Sequence, residues 1–210
     1  MPAHKPQPVA LTIAGSDSGG GAGIQADLKT FQAFGVYGTS AITAITAQNT
    51  VGLHASHAVP LQDVRAQIDA VVADLRPQAL KTGMLANAEL VCGVADAIEA
   101  HALGCYVMDP VMVATGGARL LDSGAEASLL TRLLPLATLI TPNLHEAAIL
   151  VGEPVETVGH MSAAARRLVE LGAGAALIKG GHLDGDAVDV LWDGDEESVW
   201  RRPRIQTAHT

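Results

Sequence analysis

Four polar residues stand where the sequence predicts strand ends or a helix start. Asp109 follows a short apolar run, and Lys179 ends another. Asn143 and Glu146 have the spacing of a helix cap. Each alone has a simpler explanation, as a strand breaker, a cap or a side chain that extends to solvent. Carboxylates act on Mg²⁺ directly or through water and lysine contacts phosphate oxygens, so their recurrence at one predicted rim indicates Mg-nucleotide chemistry.

The stretch 15–23 contains five glycines between a predicted strand and a predicted helix. Glycine lets the backbone approach a ligand closely, and the N-terminus of the next helix offers unpaired N–H groups. A flexible connection is the alternative, but each ordered glycine costs roughly 0.5 to 1 kcal/mol relative to alanine, which favours a binding role. The stretch lacks the P-loop pattern. Gly21-x-Gly23-x-x-Ala26 matches a Rossmann variant, but no Asp or Glu occurs from residue 28 to residue 62, which argues against a dehydrogenase.

Asp27 and Gln48 are candidates for contact with the ring of a ligand. Asp27 is expected in the first turn of the predicted helix, where it either complements the helix dipole or faces the ligand. Gln48 ends a predicted strand, and its amide can donate and accept at once, as a heterocycle with adjacent ring nitrogen and amino group requires. An ordinary strand-end residue is the alternative for Gln48. No chemistry is assigned to His54 and His57, and His182 is expected only near phosphate.

Short apolar runs alternate with segments of helical period along the whole chain, which is typical of parallel strands joined by crossover helices. The fold class is therefore an α/β sandwich in a single domain, 1–210. Alternation at Val188, Val190 and Trp192 predicts antiparallel edge strands, and 54–59 is expected to form a hairpin partner. Ligands bind outside the carboxyl ends of parallel strands, so the polar clusters are expected on one rim. The predicted strands are 9–14, 40–47, 79–82, 106–108, 139–140 and 175–179. One predicted helix is capped by Ser123 and Glu126 and ends at Pro135, and another covers 162–171.

Charge and composition narrow the classes of function. The chain has 13 Lys and Arg against 22 Asp and Glu, a net charge of −9, which disfavours nucleic acid and anionic membranes as partners. No run approaches the ~18 apolar residues of a membrane span. Cys92 and Cys105 form neither a disulfide framework nor a CxxC motif. These features predict a cytoplasmic protein with small-molecule ligands.

At these residues the sequence resembles the hydroxymethylpyrimidine and phosphomethylpyrimidine kinases of thiamine biosynthesis, members of the ribokinase-like superfamily. The resemblance covers essentially the whole chain, with its motifs in family order. The motifs are AGSDSGGGAGIQADLKT (14–30), AQNT (47–50), KTGML (81–85), DPVM (109–112), TPNLHE (141–146) and KGGH (179–182).

The resemblance implies a ribokinase-like three-layer α/β/α sandwich that uses ATP and Mg²⁺ to phosphorylate 4-amino-5-hydroxymethyl-2-methylpyrimidine and then its monophosphate. It implies that Gln48 reads the pyrimidine edge. The same resemblance implies that Asn143 contributes to nucleotide and Mg²⁺ binding and that Lys179 holds phosphate oxygens in catalysis. The other implied positions are Gly15, Asp27, Met84 and Val111 in the pyrimidine pocket, and Asp109 and Glu146 at Mg²⁺ and its waters.

Family members continue, after a segment like 206–210, into a Gly-Thr-Gly-Cys loop that builds the anion hole and carries a cysteine proposed to activate the hydroxyl. This sequence stops short of that loop and of the final helices, and neither of its cysteines takes the cysteine's place. We expect it to be an incomplete version of the working enzyme, and a protein that binds ligand without efficient turnover is the other interpretation. A pyridoxal kinase of the same fold and a non-catalytic pyrimidine-binding protein are the alternatives. The family resemblance also implies a homodimer.

Overall fold

A computed structural model describes residues 7–112, 121, 124–181, 183 and 185–205. Its strands form one nine-stranded sheet. The strands are β1 Val9–Asp17, β2 Tyr37–Asn49, β3 Gly52–Ala58, β4 Ala79–Thr82, β5 Tyr106–Met108, β6 Leu139–Ile140, β7 Ala176–Lys179, β8 Ala187–Trp192 and β9 Glu197–Arg202. Their order across the sheet is β3-β2-β1-β4-β5-β6-β7-β8-β9.

The sheet has a parallel centre and antiparallel edges, as the sequence predicted. The six strands from β2 to β7 pair in parallel. β3 pairs antiparallel with β2 at one edge, and β8 and β9 continue antiparallel from β7 at the other. β1 extends past its predicted end into the glycine-rich stretch, with a register shift between Ala14 and Ser16. β2 also exceeds its prediction at both ends, so that its last residues form a hairpin with β3.

Six helices connect the strands in the part of the chain that the structure describes. They are α1 Gly23–Ala33, α2 Leu61–Leu75, α3 Ala88–Ala100, α4 Ala125–Ser128, α5 Leu144–Val151 and α6 Val158–Glu170. Crossovers between parallel strands are right-handed. The connection from β1 to β2 runs one way across the sheet and places α1 on one face. The connections that contain α2 and α3 run the other way across the sheet and place these helices on the opposite face. α1 packs on β1 and β2, and α2 packs on β2 and α3. Helices therefore flank the sheet on both faces.

Two predicted helix boundaries were wrong for identifiable reasons. α6 begins at Val158, earlier than predicted, because the side chain of Thr157 accepts a hydrogen bond from the N–H of His160. The leucine-rich helix does not stop at Pro135, because α4 continues through a π-helical turn into a 3₁₀ turn over Leu134–Leu136, where proline is tolerated near the start. Ser123, its predicted cap, lies outside the described residues.

The core occupies the space between the sheet and α2 to α6. α3 is its central helix, with seven buried residues that include Leu90, Val94 and Ile98. The Tyr106 hydroxyl at the start of β5 bonds to the Thr82 hydroxyl at 2.7 Å, and burial raises the pKa of this tyrosine. Among the described residues, no helix combines the length and the apolar character that crossing a membrane requires.

Candidate active site

A cavity of about 310 Å³ opens at the carboxyl ends of β1, β2, β4 and β5. This volume is within the range of roughly 300 to 1,000 Å³ that small-molecule sites occupy. The sequence placed its candidates at this edge of the sheet, and the structure brings six of them together. The predicted residues among those that line the cavity are Gly15, Asp27, Gln48, Met84, Asp109 and Val111.

The glycine-rich stretch is held by Asp17, which the sequence analysis did not single out. Its carboxylate accepts hydrogen bonds from the N–H groups of Gly19 at 2.8 Å, Gly21 at 2.9 Å and Ala22 at 2.8 Å. Gly23 has φ +56, and a Cβ there would lie 2.4 Å from the carbonyl oxygen of Gly15. The stretch is therefore an ordered turn rather than a flexible connection. An Asp followed by Ser and glycines is a recognisable turn signal, since its side chain bonds to following N–H groups.

Gln48 lies on β2 where the β2–β3 hairpin extends past the end of β1, and Ser18 fixes its backbone. The Ser18 hydroxyl accepts from the N–H of Gln48 at 2.8 Å and donates to its carbonyl at 2.7 Å. Thr46 donates to the carbonyl of Ser16 at 2.7 Å, and its hydroxyl is 3.5 Å from Oε1 of Gln48. The glycine-rich turn and the hairpin thus hold each other while the Gln48 amide lines the cavity.

Asp27 lies in the second turn of α1, so the prediction of a first-turn position was wrong. α1 begins at Gly23, earlier than a first-turn position for Asp27 requires, and its first turn contains no acidic residue. The carboxylate instead accepts from the buried Thr12 hydroxyl at 2.6 Å and lies 3.2 Å from Nζ of Lys81. Its charge is matched by these two partners on the sheet, and not by the helix dipole.

Asp109 lies between two lysines at the end of β5. Its Oδ1 is 3.0 Å from Nζ of Lys179, and its Oδ2 is 3.5 Å from Nζ of Lys81. β7 positions Lys179, whose backbone N–H donates to the carbonyl of Pro142 at 2.8 Å. The sequence placed Asp109 and Lys179 on one rim, and the structure brings them into contact.

Asn143 and Glu146 form the capping box that the sequence predicted at the start of α5. Oδ1 of Asn143 accepts from the N–H of Glu146 at 3.0 Å, and Oε2 of Glu146 accepts from the N–H of Asn143 at 2.8 Å. Glu146 is only 4% exposed, and burial raises its pKa, which hydrogen bonding to Asn143 and the charge of Lys179 oppose. The negative charge of Asp109 raises the pKa further. Glu146 therefore caps the helix and belongs to the same charge cluster as Asp109 and Lys179.

This donor set fits a metal ion that arrives with phosphate groups, and not a dedicated metal cage. Both oxygens of Asp109 face lysines, and the Glu146 carboxylate accepts hydrogen bonds from the backbone N–H groups of Asn143 and Met112. No cluster of three or more His, Cys, Asp or Glu side chains suited to a metal ion occurs among the residues described. Mg²⁺ usually keeps several waters and binds through one or two carboxylates plus substrate phosphates. Asp109 and Glu146 match that mode.

Lys81, like Asp17, is a charged residue of this site whose role the sequence did not predict. It lies on β4, and its side chain reaches both Asp27 and Asp109. The motif KTGML that begins with Lys81 gives no sign of these contacts, because its two partners come from a helix and from the end of a strand that meet it only in the fold. His54 and His57 lie exposed on β3, and His182 lies outside the described residues.

Comparison with known proteins gives matches along nearly the whole chain. A family model described as phosphomethylpyrimidine kinase matches residues 17–210. The hydroxymethylpyrimidine/phosphomethylpyrimidine kinase of Bacillus subtilis strain 168 is 50% identical over 203 residues, which cover 96% of this chain and 75% of that protein. The crystal structure of phosphomethylpyrimidine kinase from Clostridium difficile 630 has a TM-score of 0.87 and 44% identity, covering 93% of this chain and 84% of that one. The ADP complex of Bacillus subtilis pyridoxal kinase has a TM-score of 0.87 and 41% identity, covering 96% and 76%.

Proposed function

The chain belongs to the phosphomethylpyrimidine kinase family, and on that premise we propose that it transfers the γ-phosphoryl group of ATP to 4-amino-5-hydroxymethyl-2-methylpyrimidine and then to the resulting monophosphate, in thiamine biosynthesis. One observation supports this proposal most directly. Gln48 and Asp109 line the same cavity, and Asp109 contacts Lys179, so a flat heterocycle and a nucleotide would meet at Asp109. Pyridoxal kinase is the second candidate, favoured by the 41% identity to that enzyme of Bacillus subtilis.

The pyrimidine is assigned to the part of the cavity beside the glycine-rich turn. The amide of Gln48 would donate to a ring nitrogen and accept from the neighbouring amino group. Gly15 leaves room for the ring, because a Cβ there would lie 3.1 Å from Sδ of Met84 and narrow the wall. Met84 and Val111 supply apolar surface, and Asp27 offers a carboxylate to polar groups of the ring.

ATP is assigned to the rim beyond Asp109. Lys179 would contact phosphate oxygens, and Asn143 would lie beside the nucleotide at the start of α5. Asp109 and Glu146 would hold Mg²⁺ and its waters, and the ion supplies positive charge that offsets the charge of the phosphate oxygens. The hydroxymethyl oxygen forms a bond to the γ-phosphorus while the bond from that phosphorus to the bridging oxygen breaks. ADP leaves, and the hydroxyl proton is released.

Such a transfer needs mainly alignment and charge compensation, which fixed side chains on strand ends provide. We further propose that the chain folds as one domain and acts as a homodimer in the cytoplasm. The β2–β3 hairpin supports the dimer, since Ile45 on β2 is 57% exposed and Val51 in its turn is 86% exposed. A second copy would cover this apolar surface.

A coupled assay for ADP tests the proposed reaction. The full chain is mixed with ATP and Mg²⁺ and with the pyrimidine alcohol, its monophosphate or pyridoxal, and products are identified by mass spectrometry. We expect ADP and the phosphorylated product with both pyrimidines, and slower turnover with pyridoxal. Turnover of pyridoxal alone would favour the second candidate. Calorimetric binding of the pyrimidine without any ADP would make this chain a binding protein.

A further inference from the structure

Lys81 lines the cavity and lies between two carboxylates, of which the proposed function assigns Asp27 to the pyrimidine and Asp109 to the metal. Its Nζ is 3.2 Å from Oδ1 and 3.3 Å from Oδ2 of Asp27, and 3.5 Å from Oδ2 of Asp109. About a quarter of its side chain is exposed.

Acidic residues outnumber basic residues in the lining of the cavity. Within the described part of the chain, the charged residues that line it are Asp17, Asp27, Asp109 and Lys81. Asp17 is committed to three backbone N–H groups of the glycine-rich turn. Lys179 reaches Asp109 but is not part of the lining. Among the described residues, Lys81 is therefore the single cation in the lining of this cavity.

Each carboxylate has a second partner that does not depend on Lys81. Asp27 keeps the hydroxyl of Thr12 at 2.6 Å, and Asp109 keeps Nζ of Lys179 at 3.0 Å. The ammonium group can therefore turn toward a ligand without leaving either carboxylate unpaired. A lysine that was the sole partner of one carboxylate could not turn toward a ligand without leaving that carboxylate unpaired.

The two substrates of the proposed function differ in charge. The pyrimidine alcohol carries no negative charge, whereas a phosphate monoester carries about −1.5 to −2 at pH 7. Placed beside Asp27 and Asp109, the monoester would be repelled unless a cation compensated it. In the second transfer, an oxygen of the monoester forms the bond to the γ-phosphorus, and the bond from that phosphorus to the bridging oxygen breaks as ADP leaves. That step needs the monoester held at the Asp109 end of the cavity.

We propose that Lys81 determines acceptance of the monophosphate, by binding its phosphate oxygens between Asp27 and Asp109. This inference rests on the proposed function. It assigns Lys81 to the second phosphoryl transfer, while the alcohol depends mainly on the walls of the cavity and on Gln48.

Binding measured without ATP tests this assignment independently of turnover. Calorimetry compares the alcohol and its monophosphate on wild type, Lys81→Met, Lys81→Arg and the control Arg167→Met, which removes one positive charge from an exposed ion pair with Glu170. We expect Lys81→Met to weaken monophosphate binding about 100-fold and alcohol binding less than about threefold. Lys81→Arg is expected to recover at least about tenfold of the loss, and Arg167→Met to bind both ligands as wild type does.

Equal losses for both ligands, or no loss for the monophosphate, would overturn the assignment. Circular dichroism monitors folding, and Lys81→Gln carries the same comparison if Lys81→Met does not fold. Steady-state kinetics with ATP then gives kcat/KM for each substrate. Wild type that binds the monophosphate but phosphorylates neither substrate would contradict the proposed function and leave the role of Lys81 in binding intact.

Discussion

At the scale of single residues, we propose that Gln48 determines which ring the site accepts. Its backbone is fixed by the Ser18 hydroxyl, so its amide reaches the cavity in a set position. An amide that reads a ring nitrogen and an amino group has both a donor and an acceptor to satisfy. A ligand without that pair would leave the amide unpaired in the cavity, which is costly when water is excluded.

Gln48→Leu tests this role. The substitution keeps the side chain similar in size and removes the donor and the acceptor, so we expect pyrimidine binding to weaken by about 1 to 3 kcal/mol. Calorimetry with the pyrimidine alcohol measures the change. Gln62→Leu is the matched control, because Gln62 is exposed and is not among the residues that line the cavity. Unchanged affinity in Gln48→Leu would remove Gln48 from the pyrimidine site.

At the scale of elements, the glycine-rich turn and the β2–β3 hairpin act as one unit. Ser18 joins them with two hydrogen bonds to the backbone of Gln48, and Thr46 adds a bond to the carbonyl of Ser16. These contacts link residues about thirty positions apart in the chain. The position of the Gln48 amide therefore depends on a turn that belongs to a different element.

Ser18→Ala tests the link between the two elements. It removes one donor and one acceptor, and we expect pyrimidine affinity to fall about tenfold. If Ser18 acts through Gln48, the same substitution in the Gln48→Leu background costs less than about twofold, as a double-mutant cycle by calorimetry would measure. Ser56→Ala on exposed β3 is the control and is expected to bind as wild type does. Equal costs in both backgrounds would show that Ser18 acts on the ligand by another route.

The sequence predicted the strands and helices better than it predicted the contacts between side chains in the site. Buried strands such as β1 and β7 were found because their apolar runs are local signals, and the Asn143–Glu146 cap was found because its spacing is local. The boundaries of β2 and α6 were missed, since pairing with β3 and the Thr157 cap decide them. The site was predicted as a rim of separate polar residues. The role of Lys81 could not be predicted, because its partners approach it only through the packing of α1 and the pairing of β4 with β5.

At the scale of the whole molecule, the sheet brings charged residues together at one edge. We expect this arrangement to lower the free energy of unfolding. Glu146 shows this most clearly. It is buried near Asp109, and burial is the main reason that its pKa is raised. A carboxyl group whose pKa is higher in the folded chain binds more protons folded than unfolded. Its stabilising contribution is complete below the unfolded pKa, and is lost as the pH rises through the folded pKa.

Glu146→Gln separates the stability of the molecule from its activity. Glutamine can keep the capping bond to the N–H of Asn143 without a buried charge, so the variant is expected to be at least as stable as wild type at pH 8. Its advantage is expected to shrink as the pH falls toward the pKa of unfolded glutamate, because the folded wild type then binds a proton and no longer buries a charge. Chemical denaturation across this pH range, without Mg²⁺, measures the difference. Activity with ATP is expected to fall about 10- to 100-fold, as for residues that orient a metal site.

Glu89→Gln is the matched control for this comparison, because Glu89 lies exposed in the first turn of α3. Its charge complements the helix dipole, so the substitution is expected to lower the free energy of unfolding at pH 8 by about 0.3 to 1 kcal/mol and to leave activity unchanged. The two variants remove the same charge and should change stability in opposite directions. A Glu146→Gln variant less stable than wild type at pH 8 would mean that the cap and the neighbouring Lys179 outweigh the cost of burial. The charged rim would then stabilise the fold as well as serve the proposed reaction.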